Sequence, residues 1–158
     1  MPDVFDFLEK LDITYAKYEH PAVFTVDDAR THKPDEAFWE CKNLFLRNRK
    51  GDRHYLVTIE AEKQLNLKAL GEELGEKVGF ASPERLKQYL GIAPGSVSPF
   101  GLLNNIDHAV VFVLDKSALE SELIGVHPNL NTQTLVMKTS DFVRAIETLE
   151  NPFLVKQL

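Results

Sequence analysis

Hydrophobic positions change their spacing from segment to segment along this chain, and each spacing predicts an element. Val4, Phe5, Phe7, Leu8 and Leu11 recur at helical intervals, so residues 2–11 read as an amphipathic helix. Residues 13–18 alternate like a strand that Glu19-His20-Pro21 ends, because the residue before proline avoids the α region. Thr25, with Asp28 three positions on, opens a capped helix that stops before Pro34. Residues 37–48 and 53–60 read as two strands, and Asn48-Arg49-Lys50-Gly51-Asp52 between them as a hairpin turn. Residues 67–74 form a short helix closed near Gly75; another starts at Ser82 with Pro83 in its first turn and ends at Gly91. Residues 92–105 contain Pro94, Gly95, Pro99 and Gly101 and read as a structured loop. Residues 109–114 are a buried strand. Residues 122–126 and 132–137 are two more, separated by His127-Pro128-Asn129. Thr139-Ser140-Asp141 opens a last helix with Phe142, Val143, Ile146 and Leu149 on one face.

Helices and strands are interspersed, yet hairpins dominate the strand connections. That predicts an α+β fold with a mixed, largely antiparallel sheet and helices around it, in preference to a doubly wound parallel one. No repeat, linker or low-complexity tract divides the 158 residues, so residues 1–158 read as one domain. A hydrophobic fraction of 44% and a charged fraction of 27% are those of an ordinary globular protein. No apolar run approaches the roughly 18–20 residues that span a bilayer. The acidic start lacks the pattern of a signal peptide, and the single Cys41 cannot form an internal disulfide. Together these predict a cytoplasmic protein without a membrane partner. A net charge of −6 argues against a broad footprint on duplex DNA but permits a small contact with the end of an RNA. Lys42, Arg47, Arg49, Lys50 and Arg53 fall close together, either as a charged hairpin tip or as a phosphate-facing patch.

Common catalytic signatures are absent. There is no Gly-rich phosphate loop, no HExxH and no paired CxxC, and the histidines are scattered, so neither metal nor cofactor is expected. Cys41 beside Lys42 suggests an activated thiol, but a single cysteine in a strand reads better as a small buried apolar residue. Strand alternation places Lys42 on the face of Leu44 and Leu46. An ammonium on an apolar face is costly without a partner. Lys42 therefore either reaches water at the strand's open end or points into a pocket to bind a phosphate or carbonyl oxygen. In Gly95-Ser96-Val97-Ser98-Pro99-Phe100-Gly101, glycine permits close backbone approach and the prolines stiffen the loop. Such a loop can aim N–H groups at an oxyanion, although alone it is more often a rigid connection. Gly125-Val126-His127-Pro128-Asn129 places an imidazole and an amide at a strand corner, where a lone histidine is usually structural.

In combination these segments are distinctive. Lys42-Asn43-Leu44-Phe45-Leu46 with its basic hairpin, His54-Tyr55-Leu56-Val57, the loop from Gly95 to Leu102, and Gly125-Val126-His127-Pro128-Asn129 resemble the YbaK-like aminoacyl-tRNA deacylase family. The resemblance is closest to its prolyl-tRNA editing, ProX-type, branch and extends over nearly the whole chain. It implies one mixed sheet curved into a partial barrel surrounded by helices. It also implies hydrolysis of the ester joining an amino acid to the terminal adenosine of tRNA. A lysine in the position of Lys42 is essential in the family. Gly95 and Pro99 match its GxxxP loop, and Gly125, His127 and Asn129 its histidine motif.

The resemblance assigns roles accordingly. A lysine's ordinary pKa of about 10.4 makes it a poor general base, so Lys42 acts through its charge on the terminal phosphate or acyl carbonyl. Backbone N–H groups near Gly95 and Ser96 stabilise the oxyanion, and His127 and Asn129 shape the pocket wall. Asn43, Pro99, Phe100, Gly101 and Gly125 are expected to contact substrate, with Arg47 and Arg49 on the acceptor end. The branch implies alanyl-tRNA for proline. A synthetase pocket built for proline rejects a smaller amino acid by only about 1–3 kcal/mol per missing methylene, and a smaller second sieve corrects the error. Gln133 departs from the small residue that relatives often carry there, which bears on amino-acid preference. Alternatives are seryl or cysteinyl esters, or a non-catalytic RNA- or protein-binding module of the same fold. Beyond the tRNA acceptor end, prolyl-tRNA synthetase or an elongation factor would be the partner.

Overall fold

Eight strands form one open mixed sheet in the computed structural model, which describes residues 3–20 and 37–158. The helix expected between Thr25 and Pro34 lies outside the described residues. In chain order the elements are α1 (Val4–Lys10), β1 (Ala16–Glu19), β2 (Trp39–Asn48), β3 (His54–Glu60), α2 (Leu67–Leu74), β4 (Val78–Phe80) and α3 (Pro83–Leu90). A 3₁₀ helix (Pro99–Asn104), β5 (Val111–Asp115), a second 3₁₀ helix (Lys116–Glu120), β6 (Leu123–Val126), β7 (Gln133–Lys138), α4 (Thr139–Thr148) and β8 (Phe153–Lys156) follow. The sheet runs β1-β7-β6-β2-β3-β5-β8, and β4 pairs with β2 off this path.

Local chemistry sets the element ends. Asp3 accepts a 2.7 Å hydrogen bond from the Phe5 N–H and caps α1, and Ser82 Oγ accepts from the Arg85 N–H at α3. By contrast α4 follows Lys138 directly, with no side-chain cap. Four strand pairs are antiparallel and three are parallel: β2 with β6, β3 with β5, and β5 with β8. The mixed sheet is as expected; which strands pair in parallel, the short β4 and the edge strand β8 are additions to the sequence reading.

The two faces of β2 enter different cores. Trp39, Cys41 and Phe45 face a large cluster with α1, α3 and α4, including Leu8, Leu90, Phe100 and Phe142. Leu44 and Leu46 face a smaller cluster with Tyr55, Val57, Leu70 and Val113 beneath α2. Fully burying each such aliphatic side chain is worth about 1.5–3 kcal/mol, so the register of β2 is strongly specified.

One edge of β2 is divided. It meets β6 only at Trp39 and Glu40, and β4 only at Leu46 to Asn48. Between these contacts a short stretch of that edge pairs with no described strand. The loop before Pro99 and the corner after β6 converge on it.

Candidate active site

Asn43 ties the loop to β2. Its side chain lies on the large-core side, where its Nδ2 donates to the Val97 carbonyl at 3.2 Å and its Oδ1 accepts from Thr58 Oγ1 at 2.5 Å. The loop turns at Gly95, whose φ of 89° is left-handed and favours glycine. The Ser96 N–H closes that turn on the Ala93 carbonyl at 3.1 Å, so it is already engaged. Among the described residues, the N–H groups of Gly95 and Val97 have no protein acceptor.

Ser98 joins the loop to the corner. Its buried hydroxyl donates to the His127 carbonyl at 2.6 Å and accepts from the Phe100 N–H at 3.1 Å. Pro99, Phe100 and Gly101 are buried behind it. The Phe100 ring packs edge-on against Phe7 and Phe142, and a Cβ at Gly101 would lie 3.0 Å from Ile92. Both residues act through packing, while the Phe100 carbonyl accepts from Asn129 Nδ2 at 3.2 Å.

At the corner, Asn129 adopts a left-handed φ of 64°, which asparagine tolerates better than most residues. Its Oδ1 is buried without a hydrogen-bond partner among the described residues, as is Oε1 of Gln133. Buried polar atoms are nearly always paired, so two at one corner are notable. His127 Nδ1 lies 2.7 Å from the Gln133 carbonyl. A carbonyl can only accept, so Nδ1 carries the proton and the neutral ring presents a lone pair on Nε2. Burial holds the His127 pKa below its ordinary value, and nearby His20 acts in the same direction. The rings of His20 and His127 are edge-to-face at 6.1 Å, and His20 Nε2 lies 2.9 Å from Thr134 Oγ1.

Gly125 is buried beneath Phe38: a Cβ there would lie 2.3 Å from the ring. Its carbonyl is 3.5 Å from Cys41 Sγ. Desolvation pushes the Cys41 thiol up to about 12, which leaves roughly one part in 10⁵ as thiolate at pH 7. That argues against a thiol nucleophile.

Lys42 pairs in register with Ile59 and shares the face of Leu44 and Leu46. It is half-buried, with no ion pair or side-chain hydrogen bond among the described residues. Strand alternation sets its side chain on the opposite face from Asn43. Because Glu40 pairs with Gly125, Lys42 stands level with the corner that follows Val126. Arg47 and Arg49 are not brought to that corner. Arg47 lies five residues farther along β2, about 17 Å at strand spacing, and Arg49 is exposed in the turn. Arg53 pairs with Glu76 at 3.3 Å.

Sequence reasoning did not single out Thr58, Ser98, His20 or Thr134. Thr58 was detectable as a polar residue on the core-facing side of β3, and Ser98 lay inside a segment already under suspicion. Among the described residues no group of three or more histidine, cysteine or carboxylate side chains could hold a metal. None of their helices is long and apolar enough to cross a membrane.

Residues 20–145 match the family model of the aminoacyl-tRNA editing domain. The chain is 37% identical to the prolyl-tRNA editing protein ProX of Acetoanaerobium sticklandii, over 92% of this chain and 90% of that protein. It is 35% identical to prolyl-tRNA synthetase associated domain-containing protein 1 of Mus musculus, over 79% of this chain and 76% of that one. A crystal structure proposed to be a trans-editing enzyme for prolyl-tRNA synthetase superposes with a TM-score of 0.76 at 21% identity, covering 98% of this chain and 93% of the other. That likeness shows a shared fold.

Proposed function

The chain belongs to the aminoacyl-tRNA editing domain family, and from that membership we propose that it is a free-standing deacylase that cleaves the ester of a mischarged tRNA, alanyl-tRNA for proline in particular. The observation that carries the reading is the set of polar groups, without a protein partner among the described residues, on the loop and the corner that flank the open edge of β2. It comprises the Gly95 and Val97 N–H groups, His127 Nε2, and the buried carbonyl oxygens of Asn129 and Gln133. Lys42, without a counter-ion among the described residues, stands level with the corner that holds His127.

The reaction adds water to the acyl carbon and breaks its bond to the ribose oxygen, which leaves with a proton. Lys42 supplies positive charge to the terminal phosphate or the acyl carbonyl. The N–H groups of Gly95 and Val97 stabilise the oxyanion, a role in which one such donor is worth about 3 kcal/mol. The neutral His127 accepts a hydrogen bond at Nε2 from the attacking water or a ribose hydroxyl and orients it. No protein nucleophile is needed.

Amino-acid choice is steric. Phe38 over Gly125 and the bulk of Gln133 narrow the corner, admitting alanine and excluding proline. Arg47 and Arg49 contact the acceptor end, and the reaction takes place in the cytoplasm, where prolyl-tRNA synthetase or an elongation factor delivers or receives the tRNA. Single-turnover hydrolysis of tRNA for proline charged with alanine, proline, serine or cysteine tests the reading. Alanine is released and proline survives. Equal cleavage of prolyl-tRNA defeats the size sieve, and cleavage of none defeats the deacylase.

A further inference from the structure

An open pocket of about 510 Å³ lies at the other end of the β6–β7 hairpin from His127. That volume is ordinary for a small-ligand site. Leu123 pairs with Lys138 and Val126 with Leu135, so the pocket stands about four strand positions, or roughly 13 Å, from the corner that follows Val126. Its walls come from the second 3₁₀ helix, the start of β6, the end of β7 and the first turn of α4.

Three features of this pocket lack a partner among the described residues. The first is the helix start. α4 has ten residues and no side-chain cap. Its Thr139 N–H donates to the Glu122 carbonyl at 2.9 Å, but the N–H groups of Ser140 and Asp141 have no protein acceptor. Such a helix start carries partial positive charge and favours an anion. The second is Thr139 itself, which lines the pocket at 5% exposure with its hydroxyl buried and unpaired. A buried hydroxyl nearly always has a partner, and this one is not served by bulk water. The third is a pair of opposite charges. Lys138 and Glu122 both line the pocket, yet neither forms an ion pair. Asp141, the other carboxylate of the first turn, is turned to Arg144 at 3.3 Å. Leu119 and Val143 add apolar surface to the same wall, and Leu119 is half-exposed.

An anion alone does not answer all three features, because Glu122 would repel it. We infer that the pocket binds a small zwitterion with an apolar side chain, the chemistry of a free apolar α-amino acid. Its carboxylate meets the Ser140 and Asp141 N–H groups, the Thr139 hydroxyl and Lys138. Its ammonium meets Glu122, and its hydrocarbon covers Leu119 and Val143. The site is separate from the reacting ester and does not rest on the deacylase reading.

Titration of the full chain with L-leucine, followed by amide NMR shifts, tests the site. Saturation in the millimolar range is expected for so small a ligand, with the Ser140 and Asp141 amides moving most. Leucine methyl ester lacks the carboxylate charge and N-acetyl-leucine the ammonium, and each should bind about tenfold more weakly. Thr139→Val should weaken leucine about tenfold without lowering the melting temperature, since it removes an unpaired hydroxyl, and Thr139→Ser should keep the affinity. Glu122→Gln and Lys138→Gln should each cost about threefold, and Lys42→Ala nothing. The absence of a saturable shift at the start of α4 overturns the site. Leucine binding that Lys42→Ala abolishes and Thr139→Val leaves intact also overturns it, placing the amino acid at the reacting corner. N-acetyl-leucine or inorganic phosphate binding as tightly as leucine overturns the zwitterion, because an oxyanion then suffices. Should the valine variant not fold, Glu122→Gln decides: leucine should lose most of its advantage over N-acetyl-leucine there, and an unchanged advantage defeats the proposal.

Discussion

Asn48 and Asn129 hold turns at opposite ends of the site-bearing region, and their side chains are used differently. Asn48 Oδ1 accepts from the N–H groups of Gly51, Asp52 and Arg53 at 2.9–3.1 Å, and its Nδ2 donates to Asp52 and Glu76. Every polar atom of that amide is engaged within the protein. Asn129 uses Nδ2 on the Phe100 carbonyl but leaves Oδ1 buried and unpaired among the described residues, as is Gln133 Oε1 four positions on. A saturated amide stabilises a fold; an unsatisfied one in a rigid frame costs stability unless a ligand completes it. The hairpin amide thus serves structure, whereas the corner retains capacity for chemistry.

Substitutions should separate the two. The largest effect is expected from Lys42→Ala, which should lower single-turnover deacylation by about 10³-fold, the scale of losing a preorganised electrostatic contact, with an unchanged melting temperature. Wild-type turnover in that variant would remove Lys42 from the mechanism. Asn48→Ala should do the opposite: it removes the turn's hydrogen-bond centre and should cost about 2–4 kcal/mol, or roughly 10 °C in melting temperature, while folded protein at low temperature keeps its rate. Asn129→Gly preserves the left-handed backbone and deletes the amide. It should cost less than about 1 kcal/mol in stability but slow deacylation about tenfold. A large loss of stability with normal kinetics would make the two asparagines equivalent and erase the contrast.

Smaller effects follow from His127 and Cys41. Because the folded His127 pKa is depressed, the unfolded chain takes up its proton first as pH falls through about 6.5. Its contribution to stability is therefore complete above that value and declines below it, until the folded ring also titrates. Activity that needs neutral His127 should stay level through pH 6.5 and fall only at lower pH; an acid limb at or above 6.5 that disappears in His127→Asn would contradict this account. Cys41→Ser should change the rate less than about twofold, since the thiol is almost wholly protonated. Exhaustive chelation, with tRNA folding controlled, should likewise leave hydrolysis intact.

The segments that were legible in the sequence are those governed by local rules. Ser82 and Pro83 announced α3, the Asn48–Asp52 turn announced the β2–β3 hairpin, and alternation correctly placed Lys42 beside Leu44 and Leu46. What escaped was non-local. Parallel pairing of β3 with β5 has no turn to signal it, and β8 is short and half-exposed. At the site, motif spacing singled out the loop and the corner but could not show that the Ser96 N–H is consumed by its own turn. Nor could it show that Phe100 serves the core, or that Arg85 comes to rest beside Arg47. Those facts depend on which neighbours the folded chain supplies.

The brief parallel contact between β2 and β6 has a consequence for the order of events as the protein is made. Trp39 meets Ile124 and Glu40 meets Gly125, so β2 and the corner after β6 come together from distant parts of the chain, and contacts of such separation form slowly. A nascent chain that has emerged only through β5 possesses Lys42 and the Gly95 loop but has neither the carbonyl that Ser98 grips nor the imidazole beside it. Under the proposed mechanism, hydrolytic competence is expected only once β6 and β7 dock. Chains truncated before β6 are consequently expected to be inert in the deacylation assay.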